Sequence, residues 1–407
     1  MFVVFYTSLG FCLTLPELAL KFYGRDELLM QPAEINSFYT AAILPWALKP
    51  IFGLISDSFA FRGQRRRPYV LLGCILGTLG WTLLSFLPPL PPLSLLCLMF
   101  AMTGVVIADV ACDSMVVEHV KKQASEEKGK LQSKTTMSRF VGGLMASVAA
   151  GVSLGYVSPR IIFACAAAPL LLTFVIAYRY REPTIDDQLY SRIDAEFEGT
   201  DIELDENGTV RVQQRIRRLS ALRIRLRRLI DAFKDPKIKR PLSFLLLLMC
   251  MPSSSTSVFY FMTQKLHFEP FFLSMLGVTR HACGWMGAAL YRVKFRETSL
   301  RKMFVCTTLI ITIFSGLQIL LVTGANEALG ISAKVFVLTG EAMDAVVESL
   351  GLLPLLVLTA KLTPDGNEGS VYCSMIAATN LVCKGIAISL MSLTPSVHFR
   401  RAWEEDF

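Results

Sequence analysis

The chain has 407 residues, 53% hydrophobic and only 18% charged, and its mean hydropathy is +0.49. A soluble domain carries about a quarter charged residues; here the charges are bunched between apolar runs of roughly 20 residues, long enough to span a hydrocarbon core of about 30 Å. A net charge of +8 could fit a nucleic-acid binder, but the basic residues fall in loops on one side of a membrane, so no nucleic-acid partner is expected.

Eleven helical spans are predicted from the apolar runs. The first six lie at roughly 1–22, 36–56, 69–88, 93–118, 138–157 and 160–178. The other five lie at roughly 241–263, 270–291, 303–324, 333–359 and 369–393. Proline and glycine inside them do not veto a span, because packed neighbours satisfy the freed backbone groups. The loop after the second span carries Arg62, Arg65, Arg66 and Arg67; the loop after the fourth carries Lys121, Lys122, Lys128, Lys130 and Lys134. The loop after the eighth carries Arg292, Lys294, Arg296, Arg301 and Lys302, while the intervening loops hold almost no base beyond Arg160. The basic loops are therefore expected in the cytoplasm, with the first span running from inside to outside. No cleavable signal or transit peptide is predicted. Cysteines are scattered through the apolar segments without metal spacing, so they are expected to be small packing residues.

Residues 179–240 divide the chain into a six-helix lobe, 1–178, and a second lobe, 241–407, with five visible helices. The first half of this cytoplasmic loop is acidic, from Asp186 to Glu206. Its second half, 211–229, interleaves Arg211, Arg215, Arg218, Arg225 and Arg228 with Ile216, Leu219, Leu222, Leu226 and Leu229, an amphipathic basic helix expected to lie on anionic inner-leaflet lipid. Two lobes around a central site is the layout of a secondary transporter. The tail His398–Phe407 cannot span, so a twelfth helix is expected to lie outside this chain.

Ionisable residues deep in a span cost about 2.5–3.5 kcal/mol each on insertion scales, and each invites a functional reading. The fourth span places Asp109 and Asp113 one turn apart on one face, followed by Glu118; the tenth places Glu341, Asp344 and Glu348 within about a third of the circumference. The strings Asp113-Ser-Met-Val-Val-Glu118 and Asp344-Ala-Val-Val-Glu348 are alike and occupy equivalent spans, which points to an internal repeat. Carboxylates packed together in low dielectric repel each other and lose solvation; such groups can take up and release protons, or can simply pair with cations and hold helices together. The cations available are Lys49, Arg280 and Lys384, with His281 beside Arg280. They would either hold an anionic solute or neutralise the acids, and Arg280 has the planar fork that suits a carboxylate. Trp46 is the aromatic candidate for a stacking role. No nucleophile–base pair, metal box or cofactor motif is present, and Ser253–Ser257 reads as a polar, partly unwound patch after Pro252, so neither an enzyme, a metal nor a cofactor is expected.

The segment Gly53-Leu-Ile-Ser-Asp57, followed by Arg62-Gly63-Gln64-Arg65-Arg66-Arg67, resembles the signature between spans two and three of the major facilitator superfamily, with a few residues inserted after the aspartate. Glycine permits close helix approach, and the Asp and Arg groups can clasp when the cytoplasmic side is shut. The wider string Pro45-Trp46-Ala-Leu-Lys49-Pro50-Ile-Phe-Gly53, then Arg65-Arg66-Arg67-Pro68-Tyr69, resembles the folate-biopterin transporter family. So do Ala108-Asp109 to Asp113-Ser114 and Val117-Glu118, Pro252-Ser253 with Tyr260-Phe261, Leu266 to Pro270, and the acidic tenth span leading to Leu353-Pro354.

The resemblance implies an all-α integral membrane protein of the two-lobed major facilitator type, with 12 spans expected and 11 visible, working as a monomer. It implies secondary-active, proton-coupled carriage of folates or pterins such as biopterin by alternating access, in a plasma membrane or plastid envelope. A folate glutamate tail would suit Lys49, Arg280 or Lys384, and the pterin ring would suit Asp109 or Asp113. Glu341, Asp344 and Glu348 would share the substrate or proton site, and Gly53, Asp57, Arg65, Arg66 and Arg67 would form the cytoplasmic gate. The alternatives are a facilitator-type carrier of another small solute and a non-transporting, degenerate paralogue.

Overall fold

The computed structural model describes residues 1–30, 32–61, 64–122, 130–153, 156–180, 182, scattered positions in 226–243, 258, 261–328, 330–363 and 369–377. Among these residues there are helices and no strand. Helix α1 (Phe2–Phe22) continues into a wider π turn, Tyr23–Glu27. It is followed by α2 (Pro32–Ala42), α3 (Leu44–Ala47), α4 (Lys49–Ser58), α5 (Arg67–Phe86), α6 (Pro91–Lys122), α7 (Lys130–Ser153) and α8 (Pro159–Arg179). The second lobe contributes α9 (Pro270–Leu290), α10 (Leu300–Val322), α11 (Ala325–Ala328), α12 (Ala333–Leu362) and a last described helix, α13, over 369–377.

Six of the described helices are long and apolar enough to cross a bilayer: α1 with its π turn, α5, α6, α8, α10 and α12. Helices α5, α8 and α10 turn apolar faces outward, through Leu72, Ile75, Leu79 and Leu83, through Ile161, Leu171 and Val175, and through Val305, Leu309, Ile313 and Ile319. The i, i+3, i+4 spacing of these exposed residues is that of a lipid-facing helix stripe. Helix α7 is more polar, and it lies between α1 of its own lobe and α9 of the other.

The second span expected over 36–56 is not one helix. It breaks at Ile43 and again at Leu48, because Pro45 and Pro50 each supply no backbone N–H and sit in the first turn of the next piece. The break puts Lys49 at the start of α4, within the bundle. Other spans match within a few residues, except that α6 and α7 run further toward each other, to Lys122 and from Lys130. The predicted span 241–263 lies mostly outside the described residues, as do 378–393.

In the first lobe, α5 and α6 approach so closely that a Cβ on Gly104 would overlap the backbone of Gly77; a small residue at such a crossing lets dispersion contacts between backbones replace side-chain packing. Trp81 and Phe163, both shielded from solvent, stack at 6.0 Å beside this crossing. The internal repeat extends beyond the acidic strings. Leu28 and Met30 bond back to Tyr23 and Gly24 around a left-handed Leu29 (φ 52°), before Pro32 starts α2. Leu266 and Phe268 bond back to Phe261 and Met262 around a left-handed His267 (φ 51°), before Pro270 starts α9. The turn that leads into the second span of each lobe is thus the same structure built from different residues, as parallel repeats require.

The basic segment 211–225 lies outside the described residues. At its end Leu226 and Ile230 are exposed, while Leu229 is buried against Phe304 and Leu355.

Candidate functional site

Three clusters of charge sit between helices. In the first lobe the proline break delivers Lys49, 2% exposed, to the face of α6. Its Nζ donates to Asp109 Oδ2 at 2.5 Å and lies 3.6 Å from Asp113 Oδ2. Trp46 covers the ammonium, 4.7 Å from ring centre to Nζ, so one face of the cation meets a ring and the other meets carboxylates. Tyr6 of α1 donates its hydroxyl to Asp113 Oδ1 at 2.5 Å. Asp109 Oδ1 is buried with no hydrogen-bond partner among the described residues. One cation thus serves two carboxylates, and the less occluded of them, Asp113, is 15% exposed against 1% for Asp109.

In the second lobe Arg280 of α9 lies between two carboxylates of α12, 3.3 Å from Glu341 Oε2 and 2.6 Å from Glu348 Oε2. Glu341, Asp344 and Glu348 recur at helical spacing, so all three project from one side of α12. This cluster is open: Arg280 is 46% exposed and Glu348 59%. Asp344 Oδ1 is buried and makes no hydrogen bond among the described residues. Each lobe therefore ties a cation on its second span to carboxylates on its fourth. His281, beside Arg280, turns the other way. Its Nδ1 lies 2.7 Å from the Gly277 carbonyl and 3.3 Å from Ser147 Oγ, and its Nε2 lies 3.3 Å from Thr14 Oγ1. Its ring packs where a Cβ on Gly143 would stand, so it bridges α9 to α7 and α1 across the lobes.

The third cluster lies at the end of α4, against the start of α13. Asp57 Oδ1 and Oδ2 accept the backbone N–H groups of Gly369 and Ser370 at 3.1 and 2.7 Å, where α13 begins. A carboxylate at a helix N-terminus meets unsatisfied N–H groups and the positive end of the dipole. Arg66, fully buried, donates to Asp57 Oδ1 at 2.7 Å, to Glu118 Oε1 at 2.8 Å and to Ser56 Oγ at 2.8 Å. Arg65 donates to the Asp57 backbone carbonyl. Gly53 makes the contact possible: a Cβ there would fall 2.5 Å from the Gly369 carbonyl oxygen. Gly53, Asp57, Arg65 and Arg66 therefore come together across the two lobes. Arg67 does not join them; it reaches Gln64 and the carbonyls of Ala177 and Tyr178 at the end of α8.

Sequence reasoning missed several partners. Glu182, just past α8, accepts the backbone N–H groups of Arg65, Arg66 and Arg67 and so caps α5 from another segment. Tyr6 has no charge to draw attention, and Glu118, seen only as part of the acidic string, proves to be a partner of Arg66. Arg139, just inside the predicted fifth span at 138–157, was not singled out; α7 in fact starts nine residues before it, at Lys130. Lys384 lies outside the described residues.

The sequence model of the BT1 family matches residues 9–397. The folate-biopterin transporter of Synechocystis sp. is 29% identical over 91% of this chain and 69% of its own length. The probable folate-biopterin transporter 4 of Arabidopsis thaliana is 27% identical over 89% of this chain and 81% of its own. Among solved structures, the major facilitator superfamily proton:xylose symporter XylE bound to 6-bromo-6-deoxy-D-glucose superposes with a TM-score of 0.67 at 13% identity, covering 99% of this chain and 88% of that one. The chain thus has the two-lobed major facilitator fold of a multi-pass membrane protein, and its relatives are transporters, not enzymes.

Proposed function

The chain belongs to the BT1 family, and from that premise we propose that it carries folates or pterins together with protons, by alternating access of a site between its lobes. The names of its relatives support the substrate class. The observation that carries the coupling is the Lys49 cluster: one buried cation holds two carboxylates, and Asp113 is the one within reach of water. Asp109 stays as the fixed counter-ion of Lys49, and Asp113 takes the proton. The open Arg280 cluster of the second lobe faces the solute from the other side. The Asp57–Arg66–Glu118 clasp on α13 closes the cytoplasmic mouth while the site faces outward, and its release opens the path inward. Plasma membrane or plastid envelope is the location this reading expects.

The test is uptake of radiolabelled folate and biopterin by cells expressing the full-length protein, at outside pH of about 5.5 and 7.5, roughly one unit either side of an unperturbed histidine. Faster uptake at acid pH, lost in Asp113→Asn, is the expected result. No uptake of either compound with the protein at the surface removes the substrate assignment and leaves a carrier of another solute.

A further inference from the structure

Two of the cations read inside spans can be followed to their partners. Lys49 is sealed in by Asp109, Asp113 and Trp46, and Arg280 is held between Glu341 and Glu348. An incoming anion would have to displace carboxylates already bound at either one. Arg139 of α7 differs: its side chain is exposed, and it makes no hydrogen bond or ion pair among the described residues. An uncommitted guanidinium inside a membrane bundle is costly to keep without a partner.

Its position is set by tight packing. The Arg139 carbonyl lies against Gly10 of α1, where a Cβ would overlap it, and Gly142 lies equally close to the carbonyl of Thr7. Along α1 the residues Tyr6, Gly10 and Thr14 form one stripe at i, i+4 and i+8. Tyr6 meets Asp113, Gly10 meets Arg139, and Thr14 meets His281. Along α7 the stripe Arg139, Gly143, Ser147, Gly151 faces α9: Gly151 meets Ser274, Ser147 meets His281, and Gly143 meets His281. Arg139 is the next step on that stripe and lies open where Gly143 and Ser147 are buried. Its charge is felt at both Asp113 and His281, so it stands between the proton-bearing cluster of one lobe and the bridging histidine of the other.

We propose that Arg139 receives the carboxylate of the transported solute. The inference rests on the carrier reading above and assigns the anion subsite to a residue that reading does not use. A guanidinium presents two parallel N–H groups to a carboxylate, and its flexible stem lets the head follow the solute as the lobes move. The arrangement also accounts for coupled uptake. Asp113 is faced by Tyr6 from α1, Lys49 from α4, Asp109 and Cys112 on its own helix, Arg139 from α7, and Tyr372 and Cys373 from α13. Two cations there balance two carboxylates. A solute carboxylate on Arg139 leaves one negative charge in excess, and one proton on Asp113 restores the balance.

The experiment compares folate, which carries carboxylates, with biopterin, which carries none, in the wild type, Arg139→Gln and Arg139→Lys, each in the full-length protein with surface amount measured. Arg139→Gln is expected to raise the KM for folate about tenfold to hundredfold, the weight of a hydrogen-bonded charge, while the KM for biopterin stays put. Arg139→Lys, which keeps the charge and loses the fork, is expected to fall between. An unchanged folate KM overturns the proposal, and so does an equal loss of both solutes through maximal rate alone. If Arg139→Gln fails to reach the surface, the same split is read on Arg139→Lys. If the wild type carries neither solute, the folate and pterin assignment fails separately, and glutarate decides the anion subsite. This dicarboxylate is expected to raise the Tm of the purified wild type, that of Arg139→Lys by less, and that of Arg139→Gln not at all; equal shifts overturn the assignment.

Discussion

The carboxylate of Asp57 accepts the backbone N–H of Ser370 at 2.7 Å, although 313 residues separate the two in the chain. This bond crosses from the first lobe to the second at the end of α4, and the same carboxylate holds Arg66. Replacing Asp57 by Ala removes the acceptor of two helix N-terminal donors and takes one of the two carboxylates from Arg66. Uptake is expected to fall at least about tenfold at equal surface amount, since breaking a buried charged pair costs about 3–5 kcal/mol. Undiminished transport would count against the clasp.

Gly53 admits α13 with no room to spare. In Gly53→Val the side chain meets the Gly369 carbonyl, so α4 and the start of α13 must part. A cysteine placed at Ser370 is expected to react faster with a membrane-impermeant thiol reagent from the cytoplasmic side in Gly53→Val than with Gly53 intact. Equal labelling rates would mean that α4 and α13 separate freely without the glycine.

Lys49 and Asp109 are both within 3% of full burial, so their pair is expected to behave as one unit. Lys49→Met leaves two carboxylates without their cation, at a cost of about 3–5 kcal/mol. Adding Asp109→Asn is expected to recover part of the lost Tm without recovering uptake. Strictly additive effects of the two changes on Tm would show that the ion pair does not couple them.

Arg280 provides the contrast. Its ion pairs are 31–59% exposed on the acid side, so Arg280→Gln is expected to shift stability by less than about 1 kcal/mol. Transport is expected to fall by far more, because Glu341 and Glu348 are left uncompensated where the proposed solute site lies. A large fall in Tm with normal uptake would make this cluster a structural one.

Glu182 is a quieter case. Its carboxylate accepts three successive N–H groups at the start of α5, and Glu182→Ala is expected to cost about 1–2 kcal/mol of stability. Because those N–H groups belong to Arg65, Arg66 and Arg67, uptake is expected to fall as well. Thermal unfolding and uptake both at wild-type levels would show that water replaces the cap.

Much of this was legible in the residues themselves. The apolar runs located most described spans, since a stretch of about 20 apolar residues has few other stable environments. The acids of α6 and α12 announced themselves because charge inside a span is costly. Gly53, Asp57 and the arginines carried a family signature. The breaks at Pro45 and Pro50 could have been read from the prolines, but hydropathy averages over them.

Pairing was another matter. Whether Lys49 or Arg280 is committed to a carboxylate depends on which helix faces which, and a linear pattern holds no record of that. Asp57 found its partner in backbone N–H groups, which every residue but proline has, so no side-chain motif could name Gly369 and Ser370. Tyr6, Glu182 and Arg139 acquired their places only from contacts between segments far apart in the chain. The sequence by itself determined that this chain crosses a membrane in two lobes with charge at their centre, because the bilayer tests each segment's polarity one helix at a time. Only the tertiary structure decided which charges are spoken for and which stands open, because that depends on distances between helices.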